Sequence, residues 1–205
     1  MQTKAVSALF ALVAAFAIAF ASARAESGLG PPVGAPIPHD LAATDAQGRA
    51  QSFDSLVGER GMALFFVRSV DWCPFCRGQA QDIHEARAEF AERGLSVAFV
   101  SYDPVEKQAR FIEETGFAPA LLSDEGSKII DAFGLRNEAH KSGRFAGIPH
   151  PAVFIVAPDR TILAKLYEED YATNDKSYRN RPTVEAILKA ADAALDAREQ
   201  AAYRP

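Results

Sequence analysis

A chain of 205 residues with 27 acidic and 22 basic side chains carries a formal net charge of −5, which excludes a basic nucleic-acid-binding surface as its defining feature. Its length suits one domain with a substantial core. With only two cysteines, Cys73 and Cys76, it is no scaffold stapled by several disulfides.

The chain opens with Lys4, an uncharged apolar run from Ala5 to about Ala21, and then Ala23-Arg24-Ala25. A basic start, an apolar stretch and a small-x-small site together predict a signal peptide over residues 1–25, cleaved after Ala25. The mature chain, residues 26–205, is then one domain in the periplasm or secreted. An uncleaved membrane anchor is the alternative, and only in that case does the protein meet a membrane.

Residues 26–38 are rich in Gly and Pro and read as an extended lead-in. Two short strands flank a turn at Asp45-Ala46-Gln47-Gly48. Residues 61–69, GMALFFVRS, have the unbroken apolar run of a buried strand. A helix is predicted from Pro74 to Gly94, with Ile83, Ala86, Phe90 and Ala91 on one face. A second buried strand covers 95–103. The next helix starts at Pro104 and stops at Gly116. Residues 118–124 are extended, and 125–135 form a short helix. A hairpin over 151–167 turns at Pro158-Asp159-Arg160. Residues 168–181, EEDYATNDKSYRNR, read as a polar surface loop, and an amphipathic helix over 182–200 closes the chain. Alternating strands and helices predict an α/β sheet with helices on both faces.

The two thiols sit in WCPFC, at the junction of a buried strand and a helix. Pro74 suits the first helical position, which makes Cys73 the cap. Helix-terminal N–H groups and the helix dipole favour a thiolate there. Cys76 follows one turn along the same face. A bond between them closes almost no loop, so it stabilises the fold little by that route. The pair reads as chemistry, with Cys73 solvent-facing and attacking and Cys76 resolving. One CxxC supplies two of the four ligands a structural zinc needs.

VGAPIPHDLAATDAQGRAQSF, FFVRSVDWCPFC, the segment from VSYDP to DAFGL, and PAVFIVAPDR together resemble the AhpC/TSA peroxiredoxin-like (redoxin) group of the thioredoxin superfamily. The resemblance implies a thioredoxin-like fold, a central mixed sheet with helices on both faces and an N-terminal β-hairpin. It implies a redox-active Cys73–Cys76 disulfide, no cofactor, and support from Trp72, Pro74, His150 and Pro151, the last as a cis-proline facing the cysteines with His150 beside the sulfur. Typical peroxiredoxins carry Thr-x-x-Cys and an Arg three residues before the aromatic of a later strand. Here Cys73 stands at the Thr position, Cys76 at the attacking position, and Pro151 where the Arg is expected. The buried acid of thioredoxins is replaced by Val67.

The sequence therefore supports three activities. The first is an exported thiol–disulfide oxidoreductase acting on disulfide- or thiol-containing proteins or small molecules, with a thiol electron donor or acceptor. The second is a peroxiredoxin-like thiol peroxidase using Cys76. The third is a Sco-like copper carrier with His150 as third ligand. N-terminal sequencing of exported protein is expected to start at Glu26; an intact Met1 contradicts cleavage.

Overall fold

A computed structural model describes residues 28–203; the expected signal segment and its cleavage point lie outside the described residues. Seven strands form one mixed sheet in the order β2-β1-β5-β4-β3-β6-β7. The elements are β1 (Ala43–Asp45), β2 (Ala50–Gln51), α1 (Phe53–Leu56), β3 (Gly61–Phe66), α2 (Pro74–Glu85), α3 (Arg87–Glu92), β4 (Leu95–Ser101), α4 (Val105–Thr115), β5 (Ala120–Ser123), α5 (Lys128–Ala132), β6 (Ala152–Val156), β7 (Ile162–Tyr167) and α6 (Val184–Ala202). Strands β3, β4 and β5 run parallel, β6 pairs antiparallel with β3, and β1 antiparallel with β5.

Strand β3 is central because all six of its residues are apolar or Gly and all are buried. Its alternate side chains serve two cores. Ala63 and Phe65 pack beneath α2, α3, α4 and α6, whereas Met62, Leu64 and Phe66 pack beneath α1 and α5. Phe65 stacks on Phe99 of β4, with ring centroids 4.5 Å apart. Cys73 and Cys76 belong to the Phe65 core, so packing of the sheet fixes the floor of the site.

Most elements form where the sequence places them. The β1–β2 hairpin turns through Gly48, whose positive φ of 78° accompanies its N–H bond to the Asp45 carbonyl. Gly116 ends α4 in the left-handed conformation. The helix expected from Pro74 to Gly94 is instead two. Ala86, with ψ of 4°, breaks it, and the Arg87 guanidinium binds the His84 carbonyl at the break.

Replacing Phe65 with Ala removes a ring buried between two layers. It is expected to cost about 3–5 kcal/mol of stability, measured by urea denaturation of the reduced protein.

Candidate active site

Strand β3 leads through residues 67–72 into α2, and Cys73 caps that helix as its sequence implies. The Cys73 sulfur accepts from the Cys76 N–H at 3.4 Å, and Pro74 occupies the first turn. The thiols, however, turn inward. Pro74 and Phe75 face solvent while Cys73 is 1% and Cys76 0% exposed. The expectation of a solvent-facing Cys73 is corrected: in a capping residue that also contributes to the apolar core, the side chain follows the core.

Both cysteines are free thiols in the structure, with sulfurs 2.6 Å apart. At that separation the two thiols titrate as one coupled pair, and the neighbouring charge favours ionisation at one sulfur. Arg181 places Nη2 3.5 Å from the Cys76 sulfur. Burial alone would raise the Cys76 thiol, but the hydrogen bond from Cys73, the Arg181 charge and the Ser69 backbone N–H together bring it down to about 6. The hydrogen bond to Cys76, burial and the adjacent thiolate all push Cys73 upward. These interactions favour ionisation at Cys76 over Cys73, opposite to the preference of the helix cap alone.

Arg181 was not legible as a site residue. It sits in the polar segment 168–181 that reads as a surface loop, 105 residues beyond Cys76. That segment folds back over the cysteines instead. The Arg181 Nη1 group donates to the Tyr178 and Asn180 carbonyls, which fixes the side chain, and Thr183 begins α6 two residues later by accepting from the Ala186 N–H. Tyr178 covers the Arg68 guanidinium at 3.8 Å, and Trp72 flanks the same cation at 5.2 Å. Phe75 meets the Tyr178 ring edge to face.

The supporting residues divide. Trp72 donates from its indole N–H to the Tyr102 hydroxyl at 2.9 Å and packs on Phe145, so it braces the loop before Cys73. No peptide bond among the described residues is cis, Pro151 included, which corrects the cis expectation. The backbone there is already tied: His150 N–H donates to the Leu135 carbonyl at 2.7 Å, and Pro151 leads directly into β6. His150 packs edge to face on Tyr171 at 4.8 Å and forms no hydrogen bond with either sulfur. Burial first, then the Arg68 charge, hold its imidazole below the ordinary value. Among the described residues no group of three or more His, Cys, Asp and Glu side chains is gathered that could hold a metal ion.

A cavity of about 10 Å³ lies against Arg181, lined also by Gln79, Pro151 and Ser177 among others. That is room for about one water-sized molecule. Gln79 follows Cys76 by one turn of α2, and its side-chain nitrogen meets no protein acceptor. Arg181 is shared between the cavity and the Cys76 sulfur. A guanidinium at a buried sulfur, a second thiol in contact and a small cavity that shares the guanidinium can together attack a small electrophile and close a disulfide.

Arg181→Gln removes the cation while keeping a donor. Titration of thiolate absorbance at 240 nm in the reduced protein is expected to show a midpoint near pH 6, moved upward by about one unit in the variant. An unchanged midpoint contradicts the role given to Arg181.

The sequence pattern of the AhpC/TSA family matches residues 33–165. Peroxiredoxin Bcp of Escherichia coli is 27% identical over 118 residues, covering 58% of this chain and 74% of that protein. The crystal structure of peroxidoxin BcpB from Mycobacterium tuberculosis superposes with a TM-score of 0.61 at 25% identity, covering 84% of this chain and 98% of that one. A peroxiredoxin-like protein from Aquifex aeolicus shares the fold, with a TM-score of 0.64 at 20% identity over 82% of this chain and 91% of that one. The match spans the hairpin, the cysteine pair and the strands around it, and the chain belongs to the AhpC/TSA family of the thioredoxin superfamily.

Proposed function

We propose that this chain is a thiol peroxidase in which Cys76 attacks a small hydroperoxide and Cys73 resolves the product. The observation that carries the reading is the Arg181 guanidinium 3.5 Å from the Cys76 sulfur. That cation favours a thiolate on Cys76, at the position where peroxiredoxins by resemblance keep their attacking sulfur. Membership in a family that includes peroxiredoxins supports it. The inward-facing sulfurs support it as well, because neither lies at the surface for direct attack on a bulky protein disulfide.

The Cys76 thiolate attacks the terminal oxygen of the hydroperoxide. The O–O bond breaks, a sulfenic acid forms on Cys76, and the departing alkoxide takes the proton of Cys73. Cys73, now a thiolate in contact with Cys76, displaces hydroxide from the sulfenic sulfur and closes the disulfide. An external dithiol then exchanges with that disulfide, restoring both thiols and leaving the donor oxidised. Arg181 stabilises the attacking thiolate and the negative charge that grows on the peroxide oxygens. The CPFC pair thus keeps the dithiol–disulfide cycle expected of it, as the second half of peroxide reduction. Export remains part of the proposal and rests on the Ala23-Arg24-Ala25 site.

Cys76→Ser is expected to reduce peroxide consumption to background. Cys73→Ser should complete one turnover and stop with a dimedone-reactive sulfenic acid on Cys76, identified by mass spectrometry. Peroxide turnover that survives in Cys76→Ser, or a sulfenic acid found on Cys73, contradicts the assignment.

A further inference from the structure

Asp103 directly follows β4 by two residues and is 3% exposed. One carboxylate oxygen accepts from the Ser69 hydroxyl at 2.7 Å. The other accepts from the Val70 N–H at 2.7 Å and the Ser101 hydroxyl at 2.8 Å. The Ser69 hydroxyl oxygen in turn accepts the Asp71 and Trp72 N–H groups at 3.0 and 3.1 Å. On its other side the Val70 peptide gives its carbonyl to Arg77, the residue after Cys76, at 2.8 Å. One buried carboxylate therefore organises the whole turn between β3 and the cysteine pair. Among the described residues no Lys or Arg forms an ion pair with Asp103; the nearby Lys107 pairs with Asp71 at 3.1 Å.

We propose that Asp103 is a positioning residue for the reaction: through the Ser69–Trp72 turn it sets the placement of the Cys73 thiol and the Ser69 N–H around the Cys76 sulfur. The inference rests on the reading of Cys76 as the attacking thiolate. A carboxylate buried without a cation is costly. Burial pushes the Asp103 carboxyl upward, and the three hydrogen bonds it accepts, two of them from consecutive residues of the turn, oppose that rise. The turn ends at Cys73, whose sulfur lies 2.6 Å from Cys76, so a small displacement at Ser69 is felt where proton sharing between the sulfurs is decided.

Asp124 provides the comparison within the same chain. Its buried carboxylate holds the start of α5, accepting the Ile129 and Ile130 N–H groups at 3.1 and 2.8 Å, and makes no hydrogen bond to the Ser69–Arg77 segment. It has the same kind of structural task without access to the sulfurs.

The experiment compares Asp103→Asn, Ser69→Ala and Asp124→Asn in the reduced full-length protein. It measures thermal stability, the 240 nm thiolate titration and the rate with hydrogen peroxide at pH 7. Asp103→Asn is expected to move the thiolate midpoint upward by about one unit from wild type. It should slow peroxide consumption about tenfold, beyond the roughly twofold that the lost thiolate fraction explains. Ser69→Ala should shift the midpoint in the same direction by a smaller amount, and it decides the matter alone if Asp103→Asn does not fold. Asp124→Asn should lower the melting temperature and leave the midpoint in place. The proposal is overturned if neither Asp103→Asn nor Ser69→Ala moves the midpoint, or if Asp124→Asn moves it equally. The absolute wild-type midpoint judges the thiolate reading separately, because the shift between variants is read wherever that midpoint falls.

Discussion

The contact between the Cys76 sulfur and Arg181 governs the rest of the site. Putting a sulfur in an apolar core favours its neutral form, so a thiolate persists there only against a nearby cation and hydrogen-bond donors. Arg181 supplies the cation, and Cys73 and Ser69 supply donors. Once the charge is assigned to Cys76, Cys73 must hold the shared proton. On the proposed reading the residue at the helix cap is the proton donor and resolving thiol, and a helix start that would ordinarily activate its own cap residue serves the next turn instead.

On the proposed reading this arrangement also makes up for two replaced residues that are usual in the family's site. Resemblance places a Thr at position 73 and an Arg at position 151. Cys73 substitutes a thiol for the hydroxyl, keeping a donor beside the nucleophile while adding the capacity to close a disulfide. Pro151 gives up the charge, and the segment before α6 returns it through Arg181. Tyr178 and Arg68 hold that segment down by ring-to-cation contact, and the Arg181 guanidinium reaches the Cys76 sulfur from it.

The fold was legible because its signals are local. Residues 61–66 are all buried and form the central strand; Gly48 and Gly116 lie where a left-handed backbone is needed; Thr183 and the apolar face of α6 mark the last helix. The helix break at Ala86 was missed because the apolar periodicity runs through it, while one backbone angle and the Arg87 side chain make the break. The position of the cysteines was legible, while the sequence left two assignments of their roles, attack by Cys73 or by Cys76. Helix capping is a local argument and favours Cys73, whereas the deciding charge arrives from 105 residues away in a segment that looks like solvent-facing loop. Asp103 escaped notice for a related reason. The acid was sought at position 67, along the strand of the cysteines, while the chain places it at the end of the neighbouring strand, where only sheet register brings it to the turn.

The most direct test is to follow the two Cys Cβ resonances by NMR across pH in reduced protein labelled with 13C at cysteine. The structure predicts that the Cys76 resonance titrates near pH 6 while the Cys73 resonance ionises only at distinctly higher pH. Cys73 titrating first, with Cys76 remaining a thiol, would contradict the account at its centre.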